Sequence, residues 1–556
     1  MNKRFSNIIL ACAASLLMTA SNLGAQVALT PEQQTAINSG EYSSGADLNQ
    51  RVKEYFSNIS KKQAEEAYKE NKEAQSKPTE TDQKEVPEIK IFLKHLQFTE
   101  SQIISKEVLD EIAAKYQGRE IVIGDLYKAC GEVNAIYAKK GYLASKALIK
   151  AQKIDDGKIV ITLVEGRVSQ YGVKGNKATK TRYIERYFDI NSGEFPNFKE
   201  IQKDIQLFNN TNTTKLVVKM LPGKEPRTTD LYIVAVEPEK KEKLSIFSDN
   251  YGKENSGEWR YGLNFNNSNL TGYCDTLNLA TVFAKTSVTT MLNYVFHTDN
   301  KGNKLSINHS TNSMRISKGI FKDLDVRGGS KVTGVTYSHP VVATSNRKQI
   351  LNLGYTSQDS ETKIMGRRFV HDYSNKLSLS YDNLLVRKTD LFYYRPSYSH
   401  TEFSGMDENQ ATNKLNLDMF WQKFKKNGDS MTLQFSGQKS FDDNLCSSDR
   451  FYIGGIYSVR GYDESLLWGD SGFNFKFDYF WHTKTKGLRL ITFADYGRVS
   501  GNNVPMNKYL YSVGYGFEYR HKDLSMLATV GYALKDKINN KDVDSSKVNL
   551  SVNYMF

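Results

Sequence analysis

Few residues in this 556-residue chain are arranged for covalent chemistry. There is no G-x-S-x-G nucleophile elbow and no H-E-x-x-H pair, and the eight histidines are scattered. No P-loop and no zinc-ligand cluster occurs. No catalytic residue, metal site or cofactor is expected, and the chain does not read as an enzyme. What remains is electrostatic. Val459-Arg460-Gly461-Tyr462 lies in a long, polar, Gly-rich segment, roughly 437–472, between two strands of alternating pattern. A guanidinium in a membrane protein is costly unless it faces water or a partner charge. Arg460 therefore needs an explanation, and the elements around it must supply one.

Composition narrows the choice. The chain carries a net charge of +13, with 33 Tyr and 28 Phe. Its mean hydropathy is −0.54. Lys and Arg are spread along the chain rather than clustered, and no helix-turn-helix signature accompanies them, so nucleic acid is not an expected partner. After the N-terminus no apolar run reaches the ~18 residues of a membrane helix. An aromatic-rich chain that is hydrophilic on average also suits a transmembrane β-barrel, whose alternating strands dilute hydropathy.

The N-terminus indicates export. Lys3 and Arg4 precede an apolar stretch at 8–18, and Leu23-Gly24-Ala25 offers a cleavage site before Gln26. Residues 1–25 thus read as a secretory signal peptide. Cys12 raises a lipoprotein reading, but the apolar run before it is only a few residues long. The mature chain keeps Cys130, Cys274 and Cys446, an odd and scattered set that is no disulfide framework. A buried Cys130 on a helix and two unpaired thiols are expected.

Residues 26–87 are polar and charge-rich. Leu48, Val52, Tyr55, Phe56 and Ile59 recur at helical spacing, which predicts a helix over 47–74 followed by a polar linker. That helix is either part of a disordered tether or an element on a leash, able to dock elsewhere. From 88 to 165 the pattern reads strand, helix, helix, strand, strand. Leu126, Cys130, Val133, Ile136 and Tyr137 share one face of the second helix, and Asp155-Asp156-Gly157 turns a hairpin between strands at 147–154 and 158–164. Residues 166–241 repeat the plan. Tandem units of this size read as binding or docking modules.

From 242 to 556 no amphipathic helix is visible. Short segments alternate apolar and polar, as in Leu351-Leu353-Tyr355 and Phe473-Phe475-Phe477-Tyr479-Trp481. There are roughly sixteen, an even number within the range of bacterial outer-membrane barrels. A soluble sandwich or propeller fits less well, because aromatic residues recur at the strand ends. The last strand ends on an aromatic residue, Phe556. With the modules in the periplasm, connections after odd-numbered strands should be the long, outer ones. Segments near 311–330, 359–374 and 437–471 obey; the one near 286–288 does not. The segment holding Arg460 becomes the sixth outer loop.

These pieces together resemble the TpsB family, the two-partner secretion transporters of the outer membrane. Tyr137-Ala138-Lys139-Lys140-Gly141-Tyr142, Gln152 to Ile159 and Val164-Glu165-Gly166 are similar to the family's first POTRA module; Leu221-Pro222-Gly223 and Thr229-Asp230-Leu231 are similar to its second. Gly454-Gly455 with Ser458-Val459-Arg460-Gly461-Tyr462 resembles the sixth-loop motif, and Phe493-Ala494-Asp495-Tyr496-Gly497 the F-x-D-x-G motif of the thirteenth strand. The resemblance implies a signal peptide, a plug-like helix, two POTRA modules and a sixteen-stranded barrel. It implies that Arg460 reaches through the lumen to Asp495. Phe493 and Asp495 are two apart and share one strand face, which must then be the lumen. Gly461 and Gly497 would allow close packing, and Phe556 would be the signature that the barrel-assembly machinery reads.

The implied function is export of a large unfolded client of haemolysin or adhesin type. The client would be captured by the modules, with 146–154 as a candidate edge for strand addition, and export would be driven by folding outside. Outer-membrane lipid is the other expected partner. A barrel-assembly factor of the same superfamily is the alternative. A passive porin would not need the modules.

Overall fold

The alternation beyond residue 242 closes on itself. A computed structural model describes residues 90–556 apart from 155, 255, 318–323, 406–408, 503, 505–507 and 539–540. The expected signal peptide and the helix at 47–74 lie outside the described residues. The chain divides into two compact units near residue 238.

The first unit holds two three-stranded sheets of one topology and a two-stranded one. It begins with β1 (Lys90–Leu93), β2 (His95–Phe98), α1 (Lys106–Ala114), β3 (Arg119–Val122), α2 (Ile123–Lys140), β4 (Lys146–Ile149) and β5 (Lys158–Val164). The sheet order is β2-β5-β4, with β5 parallel to β2 and antiparallel to β4. The short β3, which the sequence pattern does not announce, pairs with β1. α2 buries Leu126, Cys130, Val133 and Tyr137 against the sheet, as its spacing predicts, and adds Ala129. It ends at Gly141 in the left-handed conformation, φ 94°, after two lysines that suit the helix C-terminus. β4 stops at Ile149, well short of the predicted 154. Beyond it the side chain of Gln152 replaces the backbone ladder: its amide donates to the Val160 carbonyl (2.8 Å) and its oxygen accepts from the Val160 N–H (2.9 Å).

The second sheet uses β6 (Arg167–Lys174), α3 (Thr181–Glu185), α4 (Phe198–Thr211), β7 (Lys215–Pro222) and β8 (Thr228–Val236) in the order β6-β8-β7. Asn197 caps α4, accepting from the N–H groups of Lys199 (3.1 Å) and Glu200 (3.4 Å). Glu165 ties the first module together at its exit. It accepts from the Gln102 N–H and the Tyr137 hydroxyl, both at 2.9 Å, and from Ser101.

The second unit is a closed barrel of sixteen antiparallel strands. The first is Glu242–Asp249 and the second Arg260–Asn267; the sixteenth, Ser546–Met555, closes on the first, from Ser551 opposite Asp249 to Met555 opposite Ser245. The alternation sorts residues as a lipid-spanning sheet requires. On the seventh strand, Arg347–Ile364, Leu351, Leu353 and Tyr355 point outward and are exposed, while Asn352, Thr356 and Gln358 point inward and are buried. No described helix is long and apolar enough to cross a membrane.

One expected loop length is corrected. The stretch 359–374 is not a long loop. The seventh strand has 18 residues and the eighth, Arg367–Val386, has 20, about twice the ~9–11 that a bilayer needs. They run as a ribbon to a two-residue turn at Met365 and Gly366, φ 51° and 77°, where a primed turn matches the strand twist. Polar residues on both faces hide the ladder from a hydrophobicity reading. Conversely, the short third-to-fourth connection is real. Ala284 donates to the Ser287 carbonyl at 2.8 Å, which closes a tight turn at 284–286.

Candidate functional site

The sixth outer loop, 441–470, joins the eleventh strand (Ser430–Ser440) to the twelfth (Ser471–His482). Its two limbs pair as short antiparallel strands, Phe451–Ile453 with Leu467–Gly469. Gly454 and Gly455, both at positive φ, turn the tip. The Ser458 hydroxyl accepts from the Gly454 N–H at 2.8 Å, and the Gly455 N–H donates to the Val459 carbonyl at 3.0 Å. This turn aims the next residue, Arg460, at the inner wall.

Arg460 is 5% exposed and Asp495 4%. Asp495 lies on the thirteenth strand, Leu488–Ser500, facing inward with Ile491, Phe493, Gly497 and Val499. Arg460 Nε and Nη2 donate to its two carboxylate oxygens at 2.7 and 2.6 Å, and the Arg460 backbone N–H adds a third bond of 3.0 Å. The guanidinium lies 3.6 Å from the centre of the Phe493 ring. The fork fixes orientation as well as position, and the ring covers one face of the cation.

A second carboxylate completes the seat. Arg460 Nη1 donates to Asp478 Oδ1 at 2.6 Å. Asp478 is on the twelfth strand directly opposite Phe493, and Lys476 is opposite Asp495. Lys476 donates to the Ile456 carbonyl of the loop at 2.6 Å. Arg460 thus meets two carboxylates, and Lys476 beside them holds the loop backbone. Sequence reasoning missed Asp478. The available signal was parity: Asn474, Lys476 and Asp478 are the polar positions of a strand whose other face is Phe473-Phe475-Phe477.

The apolar flanks of the motif lock the loop sideways. Val459, Tyr462, Ile453 and Leu467 pack with Val499 and Leu510. The Tyr462 hydroxyl donates to the Tyr511 carbonyl at 2.9 Å, on the fourteenth strand (Tyr509–His521). Gly497 admits Val459, whose Cγ2 would lie 2.9 Å from a Cβ placed there. Gly461 meets Gly531 of the fifteenth strand (Leu524–Ala533); a Cβ on Gly531 would fall 2.5 Å from the Gly461 nitrogen. Gly531 is a further residue that the sequence did not single out. Phe556 stands apart from this site. It is half-exposed, and its N–H donates to the Leu244 carbonyl of the first strand at 2.8 Å.

Energetically this is no surface pair. Removing one partner of a buried ion pair typically costs about 3–5 kcal/mol, because the other charge is left uncompensated. Among the described residues, no group of His, Cys, Asp and Glu could hold a metal ion. Cys130, Cys274 and Cys446 are free thiols.

A closed sixteen-stranded barrel, two repeated strand-helix-helix modules and an outer loop folded against the inner wall define an outer-membrane protein transporter. The chain belongs to the haemolysin secretion/activation protein family ShlB/FhaC/HecB, whose profile matches residues 228–519; residues 91–166 match the ShlB-type POTRA domain. Among curated relatives, the heme/hemopexin transporter protein HuxB of Haemophilus influenzae is 21% identical over 493 residues, covering 84% of this chain and 83% of that one. Among solved structures, CdiB from Escherichia coli superposes with a TM-score of 0.62 at 16% identity, covering 90% of this chain and 98% of that one. BamA from Haemophilus ducreyi lacking POTRA domains 1–3 gives 0.52 at 13% identity, covering 84% and 100%. At these identities the two structures speak to fold alone. The chain is a two-partner secretion transporter of the outer membrane with periplasmic POTRA modules, and it acts with a secreted client. The assembly-factor alternative is not favoured.

Proposed function

We propose that Arg460 is the latch of this transporter. It holds the sixth loop in the lumen at rest and positions it for passage of an unfolded client. The observation that carries the reading is the burial of one loop guanidinium between two wall carboxylates, Asp478 and Asp495. A loop needed only as an outer cover would not require a charge-paired seat inside. The client is of haemolysin or adhesin type, and folding outside supplies the drive, so no covalent step is asked of the chain.

The division of labour follows the sequence. Residues 1–25 direct export, 26–87 form a plug-like helix and linker, 88–165 and 166–241 are the two modules, and 242–556 the barrel. β4 is an edge of its sheet with an exposed Leu148, which suits strand addition by an extended client segment. The helix at 47–74 occupies the lumen until the client arrives. The barrel-assembly machinery engages the C-terminal strand ending in Phe556, and lipid covers the outward aromatic face.

The test is Arg460→Ala in the full chain, co-expressed with its secreted client. Heat-modifiable migration in SDS gels reports barrel assembly, and immunoblotting reports client in the medium. The barrel is expected to assemble while secretion falls by about tenfold or more, the scale of a few kcal/mol. Normal secretion by this variant would refute the latch.

A further inference from the structure

The sixth loop carries a second buried charge, of the opposite sign, and it meets a different part of the wall. Asp449 sits on the first limb, before the Phe451–Ile453 strand, and is 1% exposed. Its Oδ1 accepts from Lys376 Nζ at 2.7 Å and from Lys414 Nζ at 3.0 Å. Lys376 belongs to the eighth strand and Lys414 to the tenth, Asn409–Phe424. Lys414 also donates to the Asp449 backbone carbonyl at 2.9 Å. Gln438 Nε2 reaches the same carbonyl at 2.7 Å and the Asp470 carbonyl at 2.9 Å, joining the two limbs of the loop.

We infer that Asp449 is a second, independent anchor of the sixth loop, a positioning residue that fixes its root while Arg460 fixes its tip. The physical case is charge order. The twelfth and thirteenth strands present Asp478 and Asp495 to the loop arginine, with Lys476 held on the Ile456 carbonyl, and the eighth and tenth present ammonium groups to Asp449. The loop carries the complementary charges in one order, Asp449 then Arg460. A loop shifted or reversed in the lumen would set like charges against each other in a site nearly closed to water, where such errors are costly. Two lysines sharing one carboxylate also repel one another once that carboxylate is withdrawn. The loop therefore leaves its seat only when both anchors release. This inference rests on the latch reading above only for its consequence in transport; the anchoring itself does not.

The test uses the native thiol of Cys446, three residues from Asp449, in the full chain on whole cells. A membrane-impermeant maleimide is applied, and the Cys446 adduct is quantified by peptide mass spectrometry, with buried Cys130 and Cys274 as references. Asp449→Asn keeps the shape and removes the charge. It is expected to label at least about tenfold faster than the wild type, to keep heat-modifiable migration, and to secrete less client. Lys414→Met is milder, because Lys376 still meets Asp449, and it carries the test if Asp449→Asn does not assemble. The double variant Asp449→Asn/Arg460→Ala should label faster than either single variant. Wild-type labelling rates in both Asp449→Asn and Lys414→Met overturn the anchor. A double variant no faster than Asp449→Asn overturns the claim that both must release. If Arg460→Ala secretes normally while both Asp449→Asn and Lys414→Met label faster than wild type, the latch fails and the anchor stands; removing the Lys414 charge disfavours the Cys446 thiolate, so faster labelling there reports release of the loop.

Discussion

Gly531→Ala tests the seat without touching a charge. Gly531 faces inward on the fifteenth strand, and the backbone of Gly461 rests on it. An added Cβ would lie 2.5 Å from the Gly461 nitrogen and 2.9 Å from the Arg460 carbonyl carbon. Both neighbours are backbone atoms, so no side chain can swing away. The loop must retreat by roughly half an ångström or more to restore ordinary contact. Arg460 meets Asp495 through three bonds of 2.6–3.0 Å, and such bonds weaken quickly with displacement and misalignment. Overpacking of this kind typically costs about 1–3 kcal/mol. That range corresponds to about a 5–150-fold shift between seated and unseated loop. Alanine is compatible with strand geometry, so the barrel should still assemble and show heat-modifiable migration. Client secretion should fall in the same direction as for Arg460→Ala, and Cys446 labelling should change less than in Asp449→Asn. Wild-type secretion by Gly531→Ala, with the barrel assembled, would refute the argument that close packing at Gly461 seats the arginine.

Further outcomes follow from the same geometry. Asp478→Asn should reduce secretion by about tenfold, because it removes one of two carboxylates from a buried cation; an unchanged level would make Asp495 sufficient. Arg460→Lys should secrete less than wild type, since one ammonium cannot reproduce the fork to Asp495 together with the bond to Asp478; full activity would show that charge alone suffices. Gly366→Val strains a turn at φ 77° but meets nothing nearby, so it should leave secretion unchanged. Asn197→Ala should weaken α4 by about 1 kcal/mol, read as faster limited proteolysis of the second module in the full chain. Glu237 gives a pH dependence. Burial acts to raise its pKa, but the N–H groups of Thr179 and Ala178 outweigh it and hold the carboxyl below its ordinary 4.5. A depressed folded pKa means stability present above that ordinary value and lost as pH falls through the lowered one. Protection of the second module from an acid-active protease should therefore fall below about pH 4.5, and Glu237→Gln should flatten the curve.

Local order was legible wherever it depends on near neighbours. The α2 face appears in the spacing of Leu126, Cys130, Val133 and Tyr137, because a helix brings residues three and four apart together. The common strand face of Phe493 and Asp495 appears in their two-residue spacing. The boundary of β4 did not appear, because a side chain, Gln152, replaced the backbone in the ladder. Nor did the ribbon to Met365 and Gly366, because a hydrogen-bonded ladder in water needs no apolar face to reveal it. The sixth loop was legible as a motif, but only resemblance to a family suggested where its arginine goes.

By itself the sequence determined a barrel with an even number of strands, a tandem pair of modules, and an arginine that required a partner. Those follow from period, repetition and the cost of an unpaired charge. Only the tertiary structure decided that Asp478 shares the guanidinium, that Gly531 bears the loop, and that Asp449 reaches Lys376 and Lys414. These partners lie on strands far apart in the chain. They meet because barrel closure and strand register set which inward residues share a level, and because the loop's own turn at Gly454 and Gly455 chooses which of them it reaches.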